Sequence, residues 1–203
     1  MTATMIEFWF DFASTYSYPA AMRVEEIARR DGCAVEWCPF LLGPIFGSQG
    51  WTDSPFNIYP VKGRYMWRDL ERLCARLGLP FRKPSQFPRN GLLAARIACV
   101  SEEKEWVPKF ARNVYAANFA EDLDIAEPAV LLKCLSGLVD DPPAVLASAS
   151  SDNAKSRLRR NTERAIELGI FGAPTFVVGD ELFWGNDRLE AALEWRRAGW
   201  DKG

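Results

Sequence analysis

The chain is 203 residues long, 48% hydrophobic and 26% charged, with a net charge of −2 and an isoelectric point near 5.4. Those proportions suit a soluble globular protein with one generous core, and they exclude a partner recognised through bulk positive charge, such as nucleic acid or an anionic membrane. Histidine is absent, which removes Ser-His-Asp and Cys-His catalysis and His-ligated metals, so any proton transfer must use another acceptor.

In chain order, Met1–Glu7 lacks the basic and apolar stretches of a secretion signal, and no apolar run reaches membrane-spanning length, so a cytoplasmic protein is expected. Residues 5–12 read as a buried, aromatic-rich strand. From about Thr15 the period becomes helical, with Ala20, Ala21, Val24, Ile27 and Ala28 on one face, until Asp31-Gly32 stops it. A second strand over 34–38 completes a β-α-β unit with a parallel pair. Residues 39–61 carry Pro39, Gly43, Pro44, Gly47, Gly50, Pro55 and Pro60 and read as a long loop of the kind that forms a lid or pocket wall. Helices are predicted around 66–77, 89–101, 103–119, 127–138, 142–149 and 152–168, the last ended by Gly169. Strands at 175–178 and 181–184 are joined by Gly179-Asp180 as a tight turn, and a final helix starts at Asp187.

That order, β-α-β, a run of helices, then β-β-α, is an α/β thioredoxin-like fold with an all-helical insertion domain. Residues 1–60 and 170–203 make the thioredoxin-like domain, and 61–169 make the inserted one, whose last helix returns to the first. The cysteines, Cys33, Cys38, Cys74, Cys99 and Cys134, are odd in number and include no Cys-x-x-Cys pair. Buried free thiols are expected, with neither a disulfide framework nor a metal site.

Three short segments carry candidate chemistry. Phe10-Asp11-Phe12-Ala13-Ser14-Thr15-Tyr16-Ser17 puts two serines where a strand passes into a helix, and Phe171-Gly172-Ala173-Pro174-Thr175 opens a later strand. Together they look like the halves of a thioredoxin-type site with hydroxyls in place of the redox cysteines. A serine there does not ionise near neutrality, but its O–H can donate to a thiolate brought by another molecule. Its commoner role is a helix cap. Pro174 reads either as an edge-strand proline or as a cis residue that turns the Ala173 backbone outward toward a bound peptide.

Trp184-Gly185-Asn186-Asp187-Arg188 offers Asn186 and Asp187 as acceptors for a ligand ammonium, and Asp187 with Glu190 three residues on equally reads as a capping box. Lys62, beside Gly63, is either a partner for a ligand carboxylate or a surface lysine. Trp51, Phe56, Tyr59 and Phe87 either line an apolar pocket or pack the loop on the core.

Phe-Asp-Phe-Ala-Ser-Thr-Tyr-Ser-Tyr, Lys62-Gly63-Arg64-Tyr65-Met66, Phe171-Gly172-Ala173-Pro174-Thr and Trp184-Gly185-Asn186-Asp187-Arg188 resemble, in that order and across essentially the whole chain, the 2-hydroxychromene-2-carboxylate isomerase family. That family stands with kappa-class glutathione transferases in the DsbA-like thioredoxin superfamily. The resemblance implies a glutathione-dependent homodimer. It makes Ser14 the catalytic residue that holds the glutathione sulfur and places Ala173 and Pro174 against the glutathione backbone. Trp184, Gly185, Asn186 and Asp187 fall at the γ-glutamyl end, Lys62 at a further glutathione contact, and Asn57 and Phe87 on the substrate side of the cleft.

Two departures stand out: Thr15 replaces the proline many members carry after the serine, and 43–50 lacks the lysine some isomerases place there. The implied activity is isomerisation of an aromatic or unsaturated acid by reversible thiolate addition. The alternatives are a kappa-like transferase and, outside enzymes, a thiol-peptide or protein binding module; a Ser14–Lys62 hydrolase is a weaker idea. Disulfide exchange is disfavoured because no cysteine sits at the helix start.

Overall fold

Strand β1 (Met5–Phe10) is apolar on both faces because it is flanked on both sides by other strands and covered above and below. It runs parallel to β2 (Ala34–Pro39), from Met5 opposite Ala34 to Phe10 opposite Pro39, and antiparallel to β3 (Thr175–Val178), with Phe8 opposite Phe176. A hairpin through Gly179 leads from β3 to β4 (Glu181–Trp184), giving the sheet order β2-β1-β3-β4. The computed structural model describes residues 5–100 and 105–199; the stretch at 1–4, the first residues of the helix expected from 103, and 200–203 lie outside them.

Alternation along β1 sorts its side chains. Ile6, Phe8 and Phe10 enter the larger core with Trp37, α1 (Ser17–Arg30) and the inserted helices, while Trp9 joins Phe40, Ile45, Ala165, Ile170 and Val177 on the other face. α1 buries Ala20, Ala21, Val24 and Ala28 and ends as expected before Gly32, whose φ of +63° suits a residue without Cβ. Between β2 and β3 lie α2 (Leu42–Ser48), α3 (Pro55–Ile58), α4 (Pro60–Leu77), α5 (Leu92–Ile97), α6 (Val107–Phe119), α7 (Pro128–Leu135), α8 (Pro142–Ser148) and α9 (Asp152–Glu167). A 3-10 turn (Asn186–Arg188) then leads into α10 (Leu189–Ala198). Phe110 and Tyr115 of α6 meet Phe12 edge-on and tilted, with centroids 6.1 and 5.4 Å away, so the insertion packs directly on the chain leaving β1.

The segment 39–61 corrects the sequence reading. It contains α2, α3 and the start of α4 rather than one loop. Pro55 and Pro60, read as breakers, each occupy the first turn of a helix, where a missing N–H costs nothing, and Ser54 Oγ accepts from Phe56 N at 3.3 Å. The helix expected over 89–101 is only α5, because Asn90 Oδ1 takes Leu92 N at 2.9 Å and Gly91 passes hard against Phe12, where a Cβ would lie 2.9 Å from Phe12 Cβ. Among the described residues no helix is long and apolar enough to cross a membrane.

Candidate active site

The chain leaving β1 is fastened from three directions. Asp11 closes the turn on itself: its Oδ1 accepts Ala13 N at 2.7 Å and its backbone oxygen accepts Ser14 N at 3.0 Å. From α6, the Tyr115 hydroxyl donates to that same Asp11 oxygen at 2.9 Å, and Asn118 Nδ2 donates to Phe12 O at 3.3 Å. From the far side, Asp11 Oδ2 accepts Leu42 N at 2.8 Å, tying the turn to the first residue of α2. Asn118 is in turn held by Arg89, which donates to its backbone and side-chain oxygens at 3.2 Å and forms an ion pair with Asp122.

Ser14 is therefore presented by a rigid turn, and it does not cap α1. That helix begins at Ser17 after Tyr16, with no side-chain cap. The Ser14 hydroxyl instead donates to the Ala173 carbonyl at 2.8 Å, joining the two expected halves of the site. Ser17, its partner in the motif, is fully buried and out of reach of any ligand.

The Ala173–Pro174 bond is cis. Of the two readings of Pro174 the cis one holds and the edge-strand one fails. β3 is an inner strand, so Pro174 is not an edge residue; it sits one position before the ladder begins at Thr175, where no N–H is called for, and its oxygen accepts Gly185 N at 2.9 Å. Ala173 lines both cavities described below, and its carbonyl accepts from the Ser14 hydroxyl. Behind this corner Gly172 has no room for a side chain: a Cβ would lie 2.3 Å from Trp184 Nε1.

Two cavities adjoin here, and Tyr16, Ala173 and Trp184 belong to both. The larger, about 600 Å³, is mostly apolar, with Phe46, Trp51, Phe56, Phe87 and Pro88 in its walls and Ser14 and Asp11 at its inner end. The smaller, about 420 Å³, carries charges of both signs: Asp69, Arg72 and Arg76 of α4, and Asp187. The Tyr16 hydroxyl, between them, donates to Asp69 Oδ2 at 2.9 Å. Burial, then that carboxylate, keep it firmly protonated. Burial also lifts the Asp11 carboxyl above its ordinary range, against the two backbone N–H donors that pull it down.

The sequence-derived candidates distribute unevenly over this geometry. Ser14, Ala173, Phe87, Trp184, Gly185, Asn186 and Asp187 line one cavity or both, with Pro174 immediately behind. Asn186 is mostly buried, and Arg23 of α1 donates to its Oδ1 at 3.1 Å and to its backbone oxygen. The Asp187–Glu190 capping box does not form, since Glu190 pairs with Arg23 and Asp187 lies in the 3-10 turn beside Arg188.

Lys62 lines neither cavity; it lies exposed in the first turn of α4, its ammonium 5.7 Å from the Phe56 ring centroid. Asn57 likewise stays outside the lining and acts as a latch, its Nδ2 donating to both Asp53 oxygens and to Phe87 O at 3.1 Å. Asp11, Tyr16, Asp69, Arg72 and Arg76 were missed. Asp69, Arg72 and Arg76 carried a readable signal, recurring on one face of a helix at three- and four-residue steps.

All five cysteines are buried and none lines either cavity, and burial pushes Cys74 and Cys134 up to about 11. The site can thus stabilise and orient an anion through Ser14, but it holds no sulfur of its own.

Residues 5–194 match the DSBA-like thioredoxin domain. A 2-hydroxychromene-2-carboxylate isomerase from Sphingobium xenophagum is 30% identical over 94% of this chain and 96% of that protein. A glutathione S-transferase kappa 1 from Caenorhabditis elegans is 24% identical over 91% and 87%. Among solved structures, a 2-hydroxychromene-2-carboxylate isomerase superposes with a TM-score of 0.82 at 28% identity, covering 96% of this chain and 98% of the other.

Proposed function

The chain belongs to the DSBA-like thioredoxin domain family, and from that membership we propose that it is a glutathione-dependent isomerase of unsaturated aromatic substrates, similar to its 2-hydroxychromene-2-carboxylate isomerase relatives. The observation that carries the reading is the pair of unlike cavities that meet at Ala173, with the Ser14 hydroxyl bonded to that residue. A tripeptide thiol with a zwitterionic end suits this arrangement. Asp187 and Asp69 are acceptors for an ammonium, and Arg72 and Arg76 are donors for a carboxylate. The backbone at Ala173 is the strand-like contact, and the apolar cavity holds the second substrate.

Bound glutathione would supply a nucleophilic thiolate that adds to the unsaturated substrate and later leaves, so that a bond can rotate between the two events. Ser14 has one proton to give, and it gives it to the Ala173 oxygen. Turning that O–H toward an incoming sulfur exchanges a neutral acceptor for a charged one, and charge-assisted bonds are roughly twice as strong. The turn itself does not move, because Asp11, Tyr115 and Asn118 hold its backbone. Phe46, Trp51, Phe56 and Phe87 exclude water from the reacting face and strengthen that interaction.

Product analysis tests the proposal. An isomerase returns glutathione, whose concentration stays constant over many turnovers; steady consumption with a released conjugate identifies a kappa-like transferase instead, and binding without turnover identifies a thiol-peptide module. A homodimer is part of the same reading. Tyr59, Val61 and Tyr65 expose apolar surface around the start of α4, and sedimentation equilibrium measures the assembly.

A further inference from the structure

A chain with no histidine must put the proton of a bound thiol somewhere. The titratable side chains among the described residues that line the apolar cavity are few. Arg89 is committed to Asp122. Tyr16 donates to Asp69 and stays protonated. Asp53 stands exposed at the rim, accepting from Asn57 and from Ser54 N. Asp11 differs from all three: it is 7% exposed, it lines the same cavity as Ser14, and its carboxyl closes the turn that presents Ser14. Among the described residues neither of its oxygens meets a cation; their partners are the neutral N–H groups of Ala13 and Leu42, and Tyr115 of α6 reaches only its backbone oxygen.

We propose that Asp11 and the glutathione thiol form a coupled pair that holds one proton between them, Asp11 taking it as the thiolate forms. The inference rests on the glutathione reading above. Two anions in one desolvated pocket repel strongly, so the site carries a single negative charge at neutrality and the pair titrates as a unit. The step balances: the S–H bond breaks, an O–H bond forms on an Asp11 oxygen, the charge moves from carboxylate to sulfur, and no proton reaches solvent. Ser14 drives the exchange by donating to sulfur, and the apolar walls favour a neutral carboxylic acid once the ligand displaces water. When the thiol departs or is regenerated, Asp11 returns the proton, which is the task histidine performs elsewhere.

The test counts protons and thiolates separately on the intact wild-type protein at neutral pH. Glutathione is titrated by calorimetry in buffers of different ionisation enthalpy, which gives protons released per ligand bound, while the ultraviolet difference spectrum gives the thiolate formed. The proposal expects a full thiolate signal with close to no proton release. In Asp11→Asn it expects a similar thiolate signal with release approaching one proton per thiolate; the wild-type count stands by itself if that variant fails to fold. Equal numbers of protons and thiolates in the wild type overturn the shared proton and leave the glutathione reading standing. Absence of binding heat overturns that reading, and the shared proton with it.

Discussion

The turn carrying Ser14 and the segment 42–58 wall the same cavity, and they are held in opposite ways. Buried bonds from Tyr115, Asn118 and the Arg89–Asp122 pair lock the turn. The segment 42–58 rests on Asp11, on the Asn57 latch and on ring contacts such as Phe46 with Trp51, 5.4 Å between centroids. Buried polar networks specify one arrangement because any loss strands a polar group, whereas exposed hydrogen bonds exchange with water at little cost. The difference teaches that the chemical end of the cleft is fixed and that the wall meeting the variable substrate is the part free to adjust.

Removing the fixed end's anchor has the largest effect. Arg89→Met strands the buried Asn118 oxygens and costs about 3 kcal/mol of stability, read from denaturant midpoints. Ser14→Ala takes away one donor and lowers kcat/KM about 10²-fold while changing stability by less than about 1 kcal/mol, which steady-state kinetics and melting together resolve. In the adjustable wall, Gly63→Ala forces a methyl to within 2.2 Å of the Phe56 carbonyl and separates α3 from α4 at a cost of about 2 kcal/mol, seen as a lowered melting temperature. Asn57→Ala releases the latch and raises KM for the second substrate about threefold, with glutathione affinity unchanged by calorimetry.

Changing pH alone separates the two kinds of acid. Asp11 has a folded value above its ordinary one, so its contribution is complete below the ordinary aspartate range and is lost as pH rises through the raised value; stability falls in that window, and Asp11→Asn flattens the slope. Asp122, held near 2 by Ser85 N and Arg89, behaves conversely and loses its contribution as pH drops from the ordinary value through about 2. A melting series across both windows that shows no falling limb above the aspartate range would contradict the assignment for Asp11.

Legibility depended on the range over which each residue finds its partner. Strands β1 to β4 and the hairpin at Gly179 were readable because apolar alternation and turn chemistry act within a few residues. Pro55 and Pro60 misled because the same residue breaks a helix inside and starts one at its first turn, and the choice depends on the residues C-terminal to it. The place of Lys62 was not readable for a related reason: its position next to a motif says nothing about which face of α4 it occupies.

What the amino-acid order settled by itself was the β-α-β and β-β-α frame and the absence of histidine and of a cysteine at the first helix's start, since each comes from local geometry or from residue types present or missing. Only the tertiary structure decided that Ser14 bonds Ala173 across 159 positions, that Asn118 and Arg89 steady the turn, that Asn57 donates to Phe87 O, and that Asp11 is a buried acid in the cavity wall. Those outcomes depend on desolvation and on partners far apart in sequence, quantities that arise only when the chain closes on itself.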